Sequence, residues 1–228
     1  MQIQRSHLFT WGIKKIGLII ILLVFVEPVY AHVNADELEK LLKSNTYFVY
    51  LLQGFLHIIP LGFDHILFVL SLFLLSPKLK PMLWQATTFT IAHSFTLGLT
   101  MYHLISPPVK IVEPLIALSI LIVALENIFS PKLRPARLGI VFIFGLIHGL
   151  GFANALNNIG LPKNDYFSCL ILFNLGVELG QITIILLAYF FLAKWFSNKS
   201  YYRKIIVIPL SILIAGISFF WFFERLFL

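Results

Sequence analysis

The sequence predicts an all-α fold: a polytopic membrane helix bundle of about six transmembrane helices that follows a cleavable signal peptide. Three observations predict it. Of 228 residues, 59% are hydrophobic and only 12% are charged, against about 45–50% and about 25% in soluble domains. Uncharged apolar runs of the roughly 20 residues that a bilayer requires recur along the chain. The Lys and Arg behind the net charge of +7 fall in short loops between those runs, which is a topogenic bias and excludes a nucleic-acid-binding patch. Cys169 is the single cysteine, so an internal disulfide and a Cys-based zinc or iron–sulfur site are excluded. Its place at the start of an apolar run marks it as a small buried hydrophobe.

Taken in order, residues 1–31 combine a basic start (Arg5, Lys14, Lys15), an apolar stretch over 16–26 and a Val29-Tyr30-Ala31 close. That is the pattern of a secretory signal, with a retained first helix as the alternative because the apolar stretch is long. Cleavage after Ala31 exposes His32, whose amine and ring can chelate copper; a chance His after the cut is the other reading. Residues 32–46 (HVNADELEKLLKSNT) form a short polar exported segment, and 47–228 the six-span domain. Its apolar runs lie near 47–75, 83–104, 111–129, 138–157, 167–193 and 205–223. Pro60 and Gly62 interrupt the first, so a kinked or broken helix is expected there.

Orientation follows from the basic residues. With the mature N-terminus outside, the inner loops carry Lys78, Lys80, Lys132, Arg134, Arg137, Lys194, Lys199, Arg203 and Lys204, nine in all. The opposite loops carry only Lys110 and Lys163, with Arg225 at the C-terminal end. This positive-inside bias places both mature termini outside a bacterial inner membrane, with lipid as the surrounding partner.

Polar groups inside the apolar runs carry the chemistry. The stretch HIIPLGFDHILFVLSLFLL (57–75) sets His57, Asp64 and His65 among lipid-soluble residues. An Asp at mid-bilayer costs about 2.5–3.5 kcal/mol on insertion scales, so such residues are rare without a use. On one continuous helix His57 and Asp64 lie within about 20° of each other, and His65 about 100° further round. Counting about 1.5 Å per residue brings Asp64, His65, His93, His148 and Glu178 to one depth on four spans, with His57 nearer the outer face. Asn174 and Gln181 share the Glu178 face, at i−4 and i+3. Any single His is better accounted for by a hydrogen bond that ties helices together, worth about 0.6 kcal/mol in membrane proteins. Together, two acids and four imidazoles describe a shared cation site.

The flanking residues fit a crowded site. Gly145 and Gly149 flank His148 at a spacing that lets helices approach. Thr90 and Thr100 lie near the His93 face, where Thr commonly bonds its own backbone. Glu126 and Asn127, at the inner end of the third run, fit either a gate and supporting polar shell or interfacial solvation, and Glu113 a solvated helix-start charge. Asn154, Asn157 and Asn158 fit an entrance or a helix end. Trp84, Trp195 and Trp221 fit interface anchors, whereas His103 is interfacial and His7 belongs to the signal.

HIIPLGFDHILFVLSLFLL, FTIAHSFTLGL (89–99), ALEN (124–127), FGLIHGLGFA (144–153) and FNLGVELGQ (173–181) resemble the HupE/UreJ family, in its second, broader branch. The resemblance spans about residues 50–185. It implies a six-span nickel permease with a cleaved signal, acting as a hydrogenase or urease accessory protein, with metalloenzyme maturation proteins as partners. By position, His57, Asp64 and His65 match the His…Asp-His motif shared with nickel/cobalt transporters, and His148 a later His-Gly motif. Two departures stand out. Six residues separate His57 from Asp64 where four are typical, and no acidic residue closely follows His148-Gly149, leaving Glu178 to substitute.

The sequence therefore leads to an inner-membrane protein that binds and transports a divalent transition metal. The ligands would be His57, Asp64, His65, His93, His148 and Glu178, with Asn174, Gln181, Glu126 and Asn127 around them. Nickel or cobalt is expected first; imidazole with carboxylate also suits zinc or copper. The rival readings are an intramembrane metalloenzyme that activates water, a haem-binding electron carrier, and an accessory scaffold that transports nothing.

Overall fold

In a membrane every backbone N–H and C=O must be satisfied within its own segment, so apolar runs of this length fold as helices. The computed structural model describes residues 46–130, 136–159 and 165–227, all within one compact unit, Glu39–Leu228. The signal segment 1–31, nearly all of 32–46, Lys132, Arg134, Lys163 and the side chains of Asn154, Asn157 and Asn158 lie outside the described residues. Among the described residues there are helices and no strands.

The helices are α1 (Thr46–Ile58), α2 (Phe63–Leu75), α3 (Leu79–Met101), α4 (Val109–Phe129), α5 (Arg137–Ile159), α6 (Tyr166–Ala188) and α7 (Ile208–Phe227). α6 runs on without a break through a π-helical stretch, Tyr189–Ala193, to Phe196. A second π-helical stretch, Arg203–Val207, leads into α7. The expected interruption at Pro60 and Gly62 is found: α1 and α2 are bent by 66°. Pro cannot continue the helical hydrogen-bond ladder, and the chain turns over residues 59–62.

The expected count of six spans is not reproduced by helix length and apolarity. Three helices pass that measure, Val109–Phe129, Tyr166–Phe196 and Arg203–Phe227, and the bent pair α1–α2 makes a fourth. α3 is 23 residues long but falls short in apolarity, and α5 offers the apolar stretch Arg137–Phe152 over the residues whose side chains are described. The reason is visible in α3: Gln85, Thr90, His93, Thr96 and Thr100 are all buried in the bundle, where polar groups lower mean hydropathy without meeting lipid. Its other face carries exposed Ile91 and Phe95.

Three helix pairs dominate the packing: α1 with α6, α3 with α5, and α4 with α7. The half-length α2 touches α1, α3, α4, α6 and α7 and so forms the hub, with His65, Phe68, Leu72 and Phe73 among its buried residues. Close approach depends on glycine, as expected for Gly145 and Gly149. A Cβ on Gly149 would overlap the His93 carbonyl oxygen and Thr96 Oγ1, and one on Gly54 the Phe173 carbonyl oxygen. Thr96 also donates to the Leu146 carbonyl across α3 and α5 at 2.7 Å. Cys169 is fully buried. Trp84 and Trp195 are exposed at helix ends, whereas Trp221 lies edge-on to Phe63 and under the Arg225 guanidinium.

Overpacking a tight contact costs about 1–3 kcal/mol. Gly149→Ala is therefore expected to lower the thermal unfolding midpoint of the detergent-purified protein. Gly139→Ala, whose new methyl would meet no atom within 4 Å, is expected to leave that midpoint unchanged or raise it.

Candidate metal centre

Four imidazoles from α1, α2, α3 and α5 meet inside the bundle. Ring centroids of His57 and His65 are 4.7 Å apart, His65 and His148 5.0 Å, His65 and His93 5.9 Å, and His57 and His93 6.2 Å. One nitrogen from each of His57, His65 and His93 lies within 4.8 Å of the others. Metal–nitrogen bonds of about 2.0–2.1 Å in a tetrahedral site put nitrogens about 3.4 Å apart. A contraction of up to about 1.4 Å would therefore let the trio hold one ion.

The route to this arrangement differs from the sequence expectation. His57 and Asp64 do not share a helix face: His57 lies in the last turn of α1, and Asp64 and His65 in the first turn of α2. The break between the two helices brings them together. Asp64 lies outside the convergent trio of imidazoles. Its Oδ1 accepts the His65 backbone N–H at 2.8 Å and faces His65 Nδ1 at 3.0 Å.

Hydrogen bonds fix the protonation of three rings. The Asp64 carboxylate can only accept, so His65 Nδ1 carries the proton. Asn174 donates its Nδ2 to the Leu170 carbonyl at 2.8 Å, which leaves its Oδ1 to accept from His93 Nδ1 at 3.2 Å. Ser119 gives its single hydroxyl proton to the Ile116 carbonyl at 2.7 Å, so its oxygen accepts from His148 Nε2 at 2.9 Å. In each neutral ring the other nitrogen then bears a lone pair. Those nitrogens, Nε2 of His65 and His93 and Nδ1 of His148, are buried without a partner in the protein, as is His57 Nε2. Leaving one such group unmet costs about 1–3 kcal/mol, so a cluster of four requires an explanation.

Aromatic rings close the cluster on two sides. Phe152 lies 3.7 Å from His57, centroid to centroid, and stacks on Phe173. On the opposite side Phe89 touches His65, His93 and His148, and Phe68 touches Phe89 and His148.

The remaining candidates are distributed more widely. Glu178 is outside the trio and accepts from Thr87 Oγ1 at 2.6 Å. Gln181 is fully buried and unpartnered at both amide atoms. Asn127 donates to the Ser71 carbonyl at 2.7 Å and to the hydroxyls of Ser71 and Ser211. Thr100 bonds its own helix at Thr96, as expected, but the Thr90 hydroxyl is unpartnered. Glu113 is no free solvated charge; it pairs with Arg225 at 2.9 Å. His103 is exposed in the turn after α3, with a φ of 55°.

Sequence reasoning missed three features. Ser119 carries no signal apart from its place in an apolar helix. The aromatic closures are invisible among 23 Phe. Arg137, counted above as a loop charge, is 2% exposed. Its Nη1 meets Glu126 Oε2 at 3.0 Å, its Nε meets Gln85 Oε1 at 3.1 Å, and its Nη2 reaches the Leu72 carbonyl at 3.5 Å. The same end of the bundle is tied by Arg203 to the carbonyls of Ile128 and Ser130.

A family profile described as HupE / UreJ protein matches residues 34–225. No curated protein and no solved structure matches the chain.

Removing one partner of a buried ion pair costs about 3 kcal/mol, because the other charge is left uncompensated. Arg137→Ala should therefore lower unfolding stability clearly, and adding Glu126→Gln should restore part of the loss, as read by thermal or denaturant melts in detergent.

Proposed function

The chain belongs to the HupE/UreJ family, which is linked to metal handling, and on that premise we propose that it binds a divalent transition metal ion at His57, His65 and His93 and carries it across the membrane. The observation behind this reading is the set of fixed tautomers: partners hold the protons of His65 and His93 and leave an unpartnered lone pair on the other nitrogen of each. A metal ligand His commonly donates its second N–H to a carboxylate or carbonyl, which orients the ring and raises its basicity. Asp64 is such a carboxylate and brings a negative charge to the ion. His148 stands beside the trio as a fourth imidazole, its Nδ1 free to join as the ion moves.

Nickel or cobalt is the expected ion, because imidazole nitrogen suits both and the family is linked to their uptake or to accessory roles. Haem is a poor fit, since rings 4.7–6.2 Å apart leave no slot for a porphyrin between them. In this reading the protein crosses a bacterial inner membrane six times after a signal segment at 1–31, with both mature termini outside. α3 and α5 then span as well, and the basic loops face the cytoplasm.

Purified full-length protein is expected to bind about one equivalent of Ni(II) or Co(II) by calorimetry or elemental analysis. His65→Ala should abolish this binding, and Asp64→Ala should weaken it about 10–100-fold, the usual effect of removing a ligand's hydrogen-bond partner. Wild-type binding that survives His65→Ala unchanged would refute the assignment. Protons compete for the same lone pairs, so affinity should fall as pH drops from about 7.5 towards about 5.5.

A further inference from the structure

A column of contacts runs from the imidazoles to the basic end of the bundle. Phe68 and Phe89, which close the cluster on that side, also line a narrow crevice between α2, α3 and α6. Leu72, Met82 and Ile185 continue its wall, and Gln181 is the single polar side chain among its lining residues. The crevice is too tight to admit a water molecule. Gln181 is fully buried there, with neither Oε1 nor Nε2 meeting a partner in the protein. It lies two turns of α6, about 10 Å, beyond Asn174, the residue that holds His93. The far end of the crevice is closed by the Arg137 network. Leu72 accepts from Arg137 through its carbonyl, and the Met82 sulfur accepts from Gln85, which is itself bonded to Arg137.

We propose that this column is the exit half of the metal's route: Gln181 is a transfer site that takes the divalent cation from the imidazoles once Phe68 and Phe89 part, and the buried Arg137 guanidinium is the plug that must withdraw before release. The inference rests on the metal-transport reading and adds the direction of the path and its two barriers. An amide oxygen suits this step because it ligates a transition metal more weakly than imidazole. Conduction needs sites that are favourable enough to enter and weak enough to leave. The phenyl pair seals by excluding water, and the guanidinium seals by repelling a cation that has already lost its ligands. A structural role for Gln181 would be expected to supply its amide with partners, and it has none.

The test uses full-length protein reconstituted in liposomes with Co(II) as the probe, comparing wild type with Gln181→Leu and Gln181→Glu. Leu keeps the bulk and removes the unmet amide, so the fold should be at least as stable. The expected result for Gln181→Leu is unchanged Co(II) stoichiometry, a Kd within about twofold of wild type and at least tenfold slower uptake, with Gln181→Glu retaining uptake because it restores an oxygen. Wild-type uptake by Gln181→Leu would overturn the exit route and leave the metal centre standing. Loss of Co(II) binding in Gln181→Leu would also overturn it, by making Gln181 part of the binding cluster. If wild type binds no Co(II), the metal reading fails with it. A second measurement labels Gln181→Cys in a Cys169→Ser background with an impermeant thiol reagent while Co(II) is being transported, since the resting crevice is closed to water. Reaction from the side of the basic loops supports the route; reaction from the opposite side alone, or from neither side, overturns it.

Discussion

The interior of this bundle is governed by the cost of a nitrogen lone pair held where neither lipid nor protein can meet it. Four imidazoles accept that condition at one place. Three of them are prevented from escaping it by tautomer exchange, because Asp64, Asn174 and Ser119 each occupy the other ring nitrogen. A bundle selected for stability alone would turn these rings towards one another's protons or replace them with Leu. The arrangement is compatible with something electron-poor in the space between the rings.

Much of the remaining fold serves to bring those rings together. A straight helix from 46 to 75 would carry His57 and His65 more than two turns apart, about 12 Å along the axis. The bend of 66° at Pro60 brings them within ring contact. Glycine at 149 lets the His148 helix close on the His93 helix, backbone against backbone. α2, which carries Asp64 and His65, is half a span long and packs against five other helices, which hold it in place.

The helices were legible because apolar length and Pro breaks act locally. The ends of all six apolar runs fall within about five residues of the observed helices. The convergence of His65, His93 and His148 was legible too, since ionisable groups at equal depth on different spans have few places to go; His57, expected nearer the outer face, joins them through the break at Pro60. What each residue does there was not. Asp64 and Glu178 both read as ligands by charge; in the structure Asp64 meets His65 and Glu178 meets Thr87. Both outcomes depend on side-chain direction across a helix interface, which depth counting does not contain. Arg137 shows the same limit from the other side. A basic residue at a loop edge has one sequence signature whether it faces water or folds under the helix ends.

The division of the trio between helices has a mechanical consequence. His57 belongs to α1, which packs chiefly on α6, while His65 and His93 belong to α2 and α3. With a single cysteine the chain cannot clasp these pieces covalently. An ion shared by the three rings would do so instead, fastening α1 to the hub for as long as it stays and freeing it on departure.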